Sequence, residues 1–216
     1  MILCLSRHLF QFNARVLSGN FKTPYGEIIP HRMSTQTAGF IGYGRIARQA
    51  AGKLKTAFGM KIVCCDPFLA KESVEAIGAE KLELAEVLQT SDYVSINVSL
   101  LPTTRNLLGS AEIALMKPTS FLINCSRGGI VNEDALADAL LNKRIAGAAM
   151  DTFTHEPLPI DHIFCKLDNV ILTPHVAWYT HEAVVSVQRV AAEQVALVLT
   201  GKKPTRCVNL DVIQKN

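Results

Sequence analysis

The 216-residue sequence predicts an α/β protein whose parallel sheet is covered by helices on both faces. Short apolar segments alternate with helical patterns along the chain, which is typical of parallel strands joined by helical crossovers. The segment 37–66 also indicates this fold class, because its sequence is typical of a strand, a glycine turn, a helix and a second strand that ends in an acidic residue. Apolar residues make up 49% of the chain and charged residues 19%, which excludes an intrinsically disordered protein.

The glycine turn runs from Gly42 to Ala47 with the sequence GYGRIA, directly after the apolar segment 38–41. Gly42 permits a tight turn, Gly44 lets a pyrophosphate approach the backbone, and the small Ala47 lets the helix pack on the strand. The phosphates would lie at the helix N-terminus, where free N–H groups favour negative charge. A glycine turn that only packs a helix on a sheet is the alternative, but it leaves Asp66 unexplained. The segment therefore predicts a Rossmann-type, doubly wound sheet with a dinucleotide site.

Asp66 indicates which dinucleotide binds. A carboxylate at the end of the second strand can accept hydrogen bonds from both ribose hydroxyls and would repel a 2′-phosphate. Pro67 follows it, where an arginine could have held that phosphate. The sequence predicts NAD and not NADP as the cofactor.

The remaining elements follow in the same alternation. Four further strands are predicted at 92–97, 121–124, 145–150 and 169–173. Helices are predicted over 72–77, 82–88, 111–117, the stretch after Asn132, and about 181–199. Asn132 is a favourable N-cap, because Glu133 and Asp134 then fall in the first turn. The stretch 19–36 is rich in proline and glycine and is predicted to be a loop.

The first 26 residues allow two interpretations. They contain Arg7, Arg15 and Lys22 but no acid, which loosely resembles an organellar transit peptide. The alternative is one amphipathic helix, with its inward-facing residues being Ile2, Leu5, Leu9, Phe10 and Phe12. We favour the helix, for a reason given with the family resemblance below.

Composition narrows the function classes. The net charge is +3, and no basic cluster is dense enough to predict nucleic-acid binding. No apolar run is long enough to span a membrane. The six cysteines have no CxxC spacing, so neither a metal site nor disulfides are expected. Cys64 and Cys65 are interpreted as small, reduced core residues of a cytoplasmic protein.

Polar residues recur where the predicted strands end, at Asp66, Arg127, Asp151 and His175, and Glu156 follows soon after. In an open parallel sheet these ends share one edge. Reduction of a 2-oxo acid needs a guanidinium that binds the substrate carboxylate and a side chain that donates a proton to the substrate oxygen. It also needs an acidic side chain beside the proton donor that favours the donor's charged form. Arg127, His175 and Glu156 are one candidate for each role. Taken singly, an arginine is usually a surface residue and a histidine a structural one. The histidines expected to be structural are His8, His31, His155, His162 and His181.

The sequence resembles the D-isomer-specific 2-hydroxyacid dehydrogenases, a family that includes phosphoglycerate, glycerate and hydroxypyruvate enzymes. The matching stretches run in family order over about residues 3–212, and they are GFIGYGRIAR, CCDPF, LINCSRGGIVNEDALADAL, AAMDTFTHEPLP and NVILTPHVAW. The resemblance implies hydride transfer between NAD(H) and a small D-2-hydroxy acid or 2-oxo acid. It also implies that Arg127, Glu156 and His175 are catalytic.

The resemblance implies cofactor contacts as well. Arg45 and Ile46 would contact the pyrophosphate, Asp151 the nicotinamide carboxamide, and Trp178 would flank the substrate end. The full expected set is Gly42, Gly44, Arg45, Ile46, Asp66, Val98, Thr104, Cys125, Ser126, Arg127, Asp151, His175 and Trp178. The loop SLLP at 99–102 departs from the family's Pro-Leu-Thr-Pro, although Thr104 keeps a hydroxyl.

A second departure is length, since family members begin with a substrate-binding lobe. The resemblance divides this chain into a crossing helix and loop at 1–36, the cofactor domain at 37–200, and a segment at 201–216 that returns toward the lobe. It thereby favours the helix over the transit peptide. Most of the substrate lobe is expected to be absent, so little turnover is expected from the chain alone. Any homodimer through the cofactor domain would be weakened.

Two other functions remain open. The first is a non-catalytic NAD(H)-sensing protein, because the C-terminal-binding-protein corepressors share this fold and a similar His-x-Ala-Trp-Tyr stretch, here 175–179. The second is an inactive remnant. The presence of Arg127, Glu156 and His175 together favours the enzyme over the inactive remnant.

Overall fold

The computed structural model describes residues 1–26 and 28–207. The chain divides into two compact units, Met1–His175 and Val176–Asn216, and the second is described as far as residue 207. The first unit contains the whole sheet.

The sheet has seven strands, all parallel, in the order β3-β2-β1-β4-β5-β6-β7. They are β1 (Thr37–Ile41), β2 (Lys61–Cys65), β3 (Glu80–Lys81), β4 (Tyr93–Ile96), β5 (Phe121–Asn124), β6 (Gly147–Met150) and β7 (Val170–Leu172). The order reverses between β1 and β4, as in a doubly wound sheet. The predicted fold class is confirmed. The edge strand β3 was missed, because two residues are too few to show an alternating pattern.

Helices cover both faces of the sheet. They are α1 (Ile2–Ser6), α2 (Leu9–Leu17), α3 (Arg45–Phe58), α4 (Lys71–Glu75), α5 (Leu84–Thr90), α6 (Ser110–Ile113) and α7 (Glu133–Leu141). Residues of α1, α3 and α4 pack in one buried cluster, and residues of α5, α6 and α7 pack in another. Single turns of 3₁₀ helix at Met33–Thr35 and Ile163–Lys166 lie in stretches predicted to be loops or left unassigned.

The strands are apolar on both faces, which explains why their sequences show no alternation. In β5, Phe121 and Ile123 belong to the cluster with α3, whereas Leu122 belongs to the cluster with α7. Phe121 also stacks on Tyr93 of β4, with ring centroids 5.6 Å apart. The core therefore lies as two layers, one on each side of the sheet.

The N-terminal segment differs from the prediction of one amphipathic helix. His8 adopts a left-handed conformation with φ 48°, and this residue separates α1 from α2. Leu5 is buried as predicted, and Ile2 and Phe12 are half-buried. Leu9 and Phe10 are 55% and 53% exposed, because the break at His8 turns α2 away from the direction of α1. The prediction was wrong for those two residues.

The carboxyl ends of the central strands lie in register. Ile41 pairs with Ile96, Ile96 with Asn124, Asn124 with Met150, and Met150 with Leu172. The residues that follow these ends therefore emerge side by side at one edge of the sheet. The predicted site residues of the first unit lie on these outgoing loops and at the start of α3.

The second unit contains α8 (His181–Leu199), with the bounds that the sequence predicts. The Thr180 side chain accepts a hydrogen bond from the Ala183 N–H at 3.0 Å and caps the helix. No residue of α8 is buried in the described chain. Among the described residues no helix combines the length and apolar character needed to cross a membrane. Residues 208–216, most of the predicted returning segment, lie outside the described part.

Cys64 and Cys65 lie next to each other on β2 and are free thiols. Cys64 is fully buried and Cys65 partly so. Burial raises the pKa of the Cys64 thiol to about 11, so this thiol stays protonated near neutral pH.

Candidate active site

The glycine turn lies where the outgoing loops of β1 and β4 separate. Gly42 has φ +84°, in the left-handed region. A Cβ atom at Gly42 would lie 2.8 Å from Cγ1 of Val98 and 2.9 Å from the backbone carbonyl carbon of Asn97. A glycine is thus required at this position by both conformation and space. The crevice at this reversal of strand order is where doubly wound sheets bind ligands.

The start of α3 fits an anionic group. Among the described residues a Cβ atom at Gly44 would meet nothing within 4 Å, so the space beside this residue is open. In the part of the chain that the structure describes, no side chain caps α3 at Gly44, which leaves the first N–H groups of this helix available to a ligand. Ile46 is 79% exposed in the first turn. A pyrophosphate could therefore contact this backbone directly.

Asp66 lies beside the glycine turn, as the sequence predicts. Its Oδ2 accepts a hydrogen bond from the Tyr43 N–H at 2.8 Å, and its Oδ1 accepts one from the Phe68 N–H at 3.0 Å. These two bonds fix the carboxylate at the end of β2. Each oxygen has a second lone pair, so the carboxylate can still accept hydrogen bonds from ribose hydroxyls. The turn, the helix start and Asp66 together fit a dinucleotide.

The loop after β4 is tied to the loop after β5. The Ser126 hydroxyl donates to the Val98 carbonyl. Thr104 closes its own loop, since its hydroxyl donates to the Ser99 carbonyl at 2.6 Å and accepts from the Leu101 N–H at 2.8 Å. The hydroxyl that the family resemblance assigns to the cofactor is thus occupied within the loop here, and its cofactor contact stays a prediction.

The loop after β5 carries Arg127. Its guanidinium is exposed, and Nη1 donates to the Ser126 carbonyl at 2.7 Å. Fully buried Asn124 shapes this loop: its Oδ1 accepts from the Ser126 N–H at 3.0 Å and its Nδ2 donates to the Arg127 carbonyl at 2.9 Å. Cys125 lies between them with an exposed side chain. Sequence reasoning missed Asn124, although a polar residue closing a buried strand was a usable signal.

Asp151 follows β6 and is buried. Its Oδ1 accepts a hydrogen bond from the Thr173 hydroxyl, and its carbonyl accepts one from the His175 N–H at 2.9 Å. Asp151 thereby holds the segment after β7, where His175 adopts φ 55°. Its predicted contact with the nicotinamide stays a prediction.

Glu156 and His175 form the pair that the sequence predicts. Oε2 of Glu156 lies 2.9 Å from Nδ1 of His175, and Oε1 accepts a hydrogen bond from the Phe153 N–H at 2.9 Å. The hydrogen bond with His175, and then that from Phe153, lower the pKa of the Glu156 carboxyl. An apolar groove opens beside the pair, lined by Phe153, Leu158, Leu172 and Pro174.

The loops that carry Arg127 and Glu156 lie directly against each other. A Cβ atom at Gly128 would collide with the Phe153 carbonyl and the Thr154 amide nitrogen. Because only a glycine permits this approach, the loop after β5 packs on the loop after β6. A guanidinium, a carboxylate and an imidazole are thus presented at one edge of the sheet.

Trp178 is described within the second unit. Its ring lies edge-on to that of Tyr179, with centroids 5.6 Å apart. Its role at the substrate end stays a prediction. In the described part of the chain, no group of three or more His, Cys, Asp or Glu residues could hold a metal ion.

Residues 1–177 match the D-isomer specific 2-hydroxyacid dehydrogenase, NAD binding domain, family. The chain belongs to this family. It is 36% identical over its whole length to a D-3-phosphoglycerate dehydrogenase from Synechocystis, of which it spans 39%. It is also 36% identical, over 99% of its length, to a glyoxylate reductase from Thermococcus litoralis, of which it spans 65%.

Solved structures of the family have the same fold. A D-lactate dehydrogenase with NAD⁺ from Lactobacillus jensenii superposes with a TM-score of 0.87 at 28% identity, over 96% of this chain and 66% of that one. A D-lactate dehydrogenase from Aquifex aeolicus, complexed with NAD and lactic acid, gives 0.84 at 31% identity, over 93% and 64% of the two chains. The predicted family and NAD as its cofactor are confirmed.

Proposed function

We propose that the chain carries the cofactor site and the catalytic residues of an NAD-dependent dehydrogenase. The reaction would transfer a hydride between NAD(H) and a D-2-hydroxy acid or 2-oxo acid. The observation that carries this proposal is the 2.9 Å contact between Glu156 and His175, with Glu156 on the loop that packs against the loop of Arg127. An acid–base pair beside a guanidinium is the arrangement that reduction of a 2-oxo acid requires.

The cofactor would be held by the first half of the sheet. The backbone of Gly44, Arg45 and Ile46 would bind the pyrophosphate at the uncapped start of α3. Asp66 would accept hydrogen bonds from the ribose and repel a 2′-phosphate. When bound, NADH supplies the hydride that the carbonyl carbon of a 2-oxo acid accepts.

Arg127 is proposed to bind the substrate. Its guanidinium is exposed at the sheet edge and can form two parallel hydrogen bonds with a carboxylate. The same positive charge would polarise the neighbouring carbonyl, which makes the carbonyl carbon a better acceptor of hydride.

His175 is proposed to move the proton. Glu156 faces Nδ1, which favours the ring tautomer in which Nδ1 carries the hydrogen and donates it to the carboxylate. Nε2 is then the nitrogen that would deliver a proton to the carbonyl oxygen during reduction and accept one during oxidation. The lowered pKa of Glu156 keeps its carboxylate ionised near neutral pH, as this role requires.

The proposed substrate is a small 2-oxo or 2-hydroxy acid, because the relatives include a D-3-phosphoglycerate dehydrogenase and a glyoxylate reductase. The chain spans 39% and 65% of these two proteins. The 216 residues therefore do not include any substrate contact that the unmatched segments of those relatives make. We therefore propose that the 216-residue chain binds NADH but turns substrate over slowly. A dimer through the cofactor domain is proposed to be weak.

The proposal is tested by following NADH absorbance with glyoxylate, and NAD⁺ reduction with D-lactate and D-3-phosphoglycerate. Arg127→Ala should raise KM and lower kcat, because it removes both the carboxylate contact and the polarising charge. Arg127→Lys is the matched control, since it keeps a charge but not the two parallel bonds, and should recover part of the loss. Turnover that does not change in Arg127→Ala would contradict the assignment.

A further inference from the structure

The loop that carries Glu156 is hydrogen-bonded to the first residue of α7, Glu133. Oε1 of Glu133 accepts a hydrogen bond from the Thr154 N–H at 2.7 Å and another from the Thr154 hydroxyl at 2.9 Å. Both bonds end on one ionised oxygen, and hydrogen bonds to charged groups are stronger than neutral ones. Glu133 is half-buried and Thr154 is exposed, so both bonds lie at the surface of the first unit.

Glu133 is itself held firmly, because it is the first residue of α7. The preceding residue, Asn132, caps that helix by accepting a hydrogen bond from the Ala135 N–H at 2.9 Å. The Asn132 N–H donates to the Leu108 carbonyl at 2.9 Å, and Val131 forms a bridge with Leu108. The Glu133 carboxylate therefore projects from a fixed point in the body of the first unit.

Thr154 lies close to the catalytic pair. Its neighbour Phe153 donates the backbone hydrogen bond that holds Oε1 of Glu156. Gly128 packs against the peptide between Phe153 and Thr154 on the Arg127 side. Glu133 thus holds the Phe153–Thr154 peptide, which contacts the Arg127 loop at Gly128 and lies next to the N–H group that binds Glu156.

We propose that Glu133 is a positioning residue, which acts through Thr154 to hold Glu156 against His175. This inference rests on the proposed function, in which His175 transfers the proton. Without the contact, the segment 152–156 keeps the packing of Gly128 but loses its attachment to α7. The Phe153 N–H and His175 would then hold the Glu156 carboxylate less closely.

A different role for Glu133 would be purely electrostatic, because a negative charge in the first turn stabilises a helix. Two variants separate these roles. Glu133→Gln removes the charge but keeps an oxygen that can accept both Thr154 bonds. Asp134→Ala removes the other acid of the same turn, which is exposed, and leaves Glu133 in place.

The first measurement needs no turnover. The chain is labelled with ¹³C at the glutamate carboxyls, and the Glu156 signal is assigned by its loss in Glu156→Gln. The charged groups that act on Glu156 are His175 and Asp151, which are the same in every variant. In the wild type, Glu156 should titrate below 4.5. In Glu133→Ala its pKa should rise toward that value, whereas Glu133→Gln and Asp134→Ala should match the wild type.

A milder pair of variants serves if Glu133→Ala does not fold. Thr154→Val removes the hydroxyl bond and keeps the amide bond, so the pKa of Glu156 should rise by less. Thr154→Ser retains the hydroxyl and should restore the wild-type titration. A Glu156 titration that is the same in Glu133→Ala, Thr154→Val and the wild type would overturn the proposal.

The second measurement is kinetic. Glu133→Ala should lower kcat by up to about a hundredfold, the loss typical of a displaced catalytic group, with the Kd for NADH unchanged. An equal loss of NADH affinity would show a general effect on the fold and would overturn the positioning role. If the wild type shows no turnover while the Glu156 titration still moves in Glu133→Ala, the proposed function fails and the positioning contact stands.

Discussion

The two halves of the site are built in different ways. The cofactor turn lies within 30 consecutive residues, 37–66, and its shape depends on the left-handed backbone of Gly42, which packs against Val98 and Asn97, and on the open space beside Gly44. The edge proposed to be catalytic is assembled from the loops after β5, β6 and β7. There, side chains bond to the backbone of distant residues, as Glu133 does to Thr154. Cofactor affinity should thus depend mostly on the first half and turnover on the second, and the substitutions at His175, Asp66 and Glu156 test that separation.

The largest expected effect is at His175. Its φ of 55° lies in the left-handed region, so asparagine is the better replacement because it tolerates that conformation. His175→Asn should lower kcat by roughly a hundredfold to ten-thousandfold, as for the loss of a general acid. The Kd for NADH should stay close to that of the wild type. The exposed His31, changed to Ala, is the control. A large loss of NADH affinity in His175→Asn would break the separation.

At Asp66 the expected loss is in binding. Asp66→Ala removes the ribose acceptor and also the bonds to Tyr43 and Phe68, so NADH affinity should fall by about tenfold to a hundredfold. Asp66→Asn keeps the shape and one acceptor oxygen but loses the charge. It should therefore bind NADPH better than the wild type does. Fluorescence titration with both cofactors measures this, and equal affinity of the wild type for NADH and NADPH would contradict the assignment.

Glu156→Gln should change the pH dependence more than the maximum rate. The loss of rate that protonation of the Glu156 carboxyl causes in acid should be absent from Glu156→Gln, because glutamine does not titrate. The pKa of Glu156 is lowered from 4.5 in the folded protein, so its ionised carboxylate stabilises the fold at pH values above 4.5. This stabilisation is lost as the pH falls through the lowered pKa. The stability difference from the wild type should therefore shrink in acid. Glu72→Gln, at an exposed acid, is the control; an unchanged rate profile would refute the tuning role.

The smallest expected effect is at Thr152, which is fully buried after Asp151. Its hydroxyl has no hydrogen-bond partner within the described residues. Thr152→Val keeps the shape and removes this unsatisfied group, so the free energy of unfolding should rise by about 1 kcal/mol. Urea denaturation measures the change, with Thr152→Ser as the control that keeps the hydroxyl. A lower stability of Thr152→Val would show that the hydroxyl is satisfied in solution.

The two halves also differed in how far the sequence predicted them. The cofactor turn could be predicted because its glycines, its helix and its acid follow one another within one short stretch of sequence. The cap at Asn132 was confirmed because an N-cap depends only on residues that are neighbours in the sequence. The break at His8 was missed, since no local signal opposes a helix there. The contacts of Asn124 and of Glu133 were missed because they depend on which loops the strand register brings together. Glu156 and His175 were paired from their chemistry and the family resemblance, and the structure brings them into contact.

The packing of Gly128 on the neighbouring loop also limits which residues can occupy position 128 in a folded protein. Alanine, the smallest replacement, would overlap the Phe153 carbonyl, so no side chain fits without separating the two loops. At Gly44 a methyl group would meet none of the described residues within 4 Å, so the protein without cofactor should tolerate alanine there. A library of all single substitutions should thus contain a position where every variant is deleterious, although the residue has no side chain and takes no part in the chemistry.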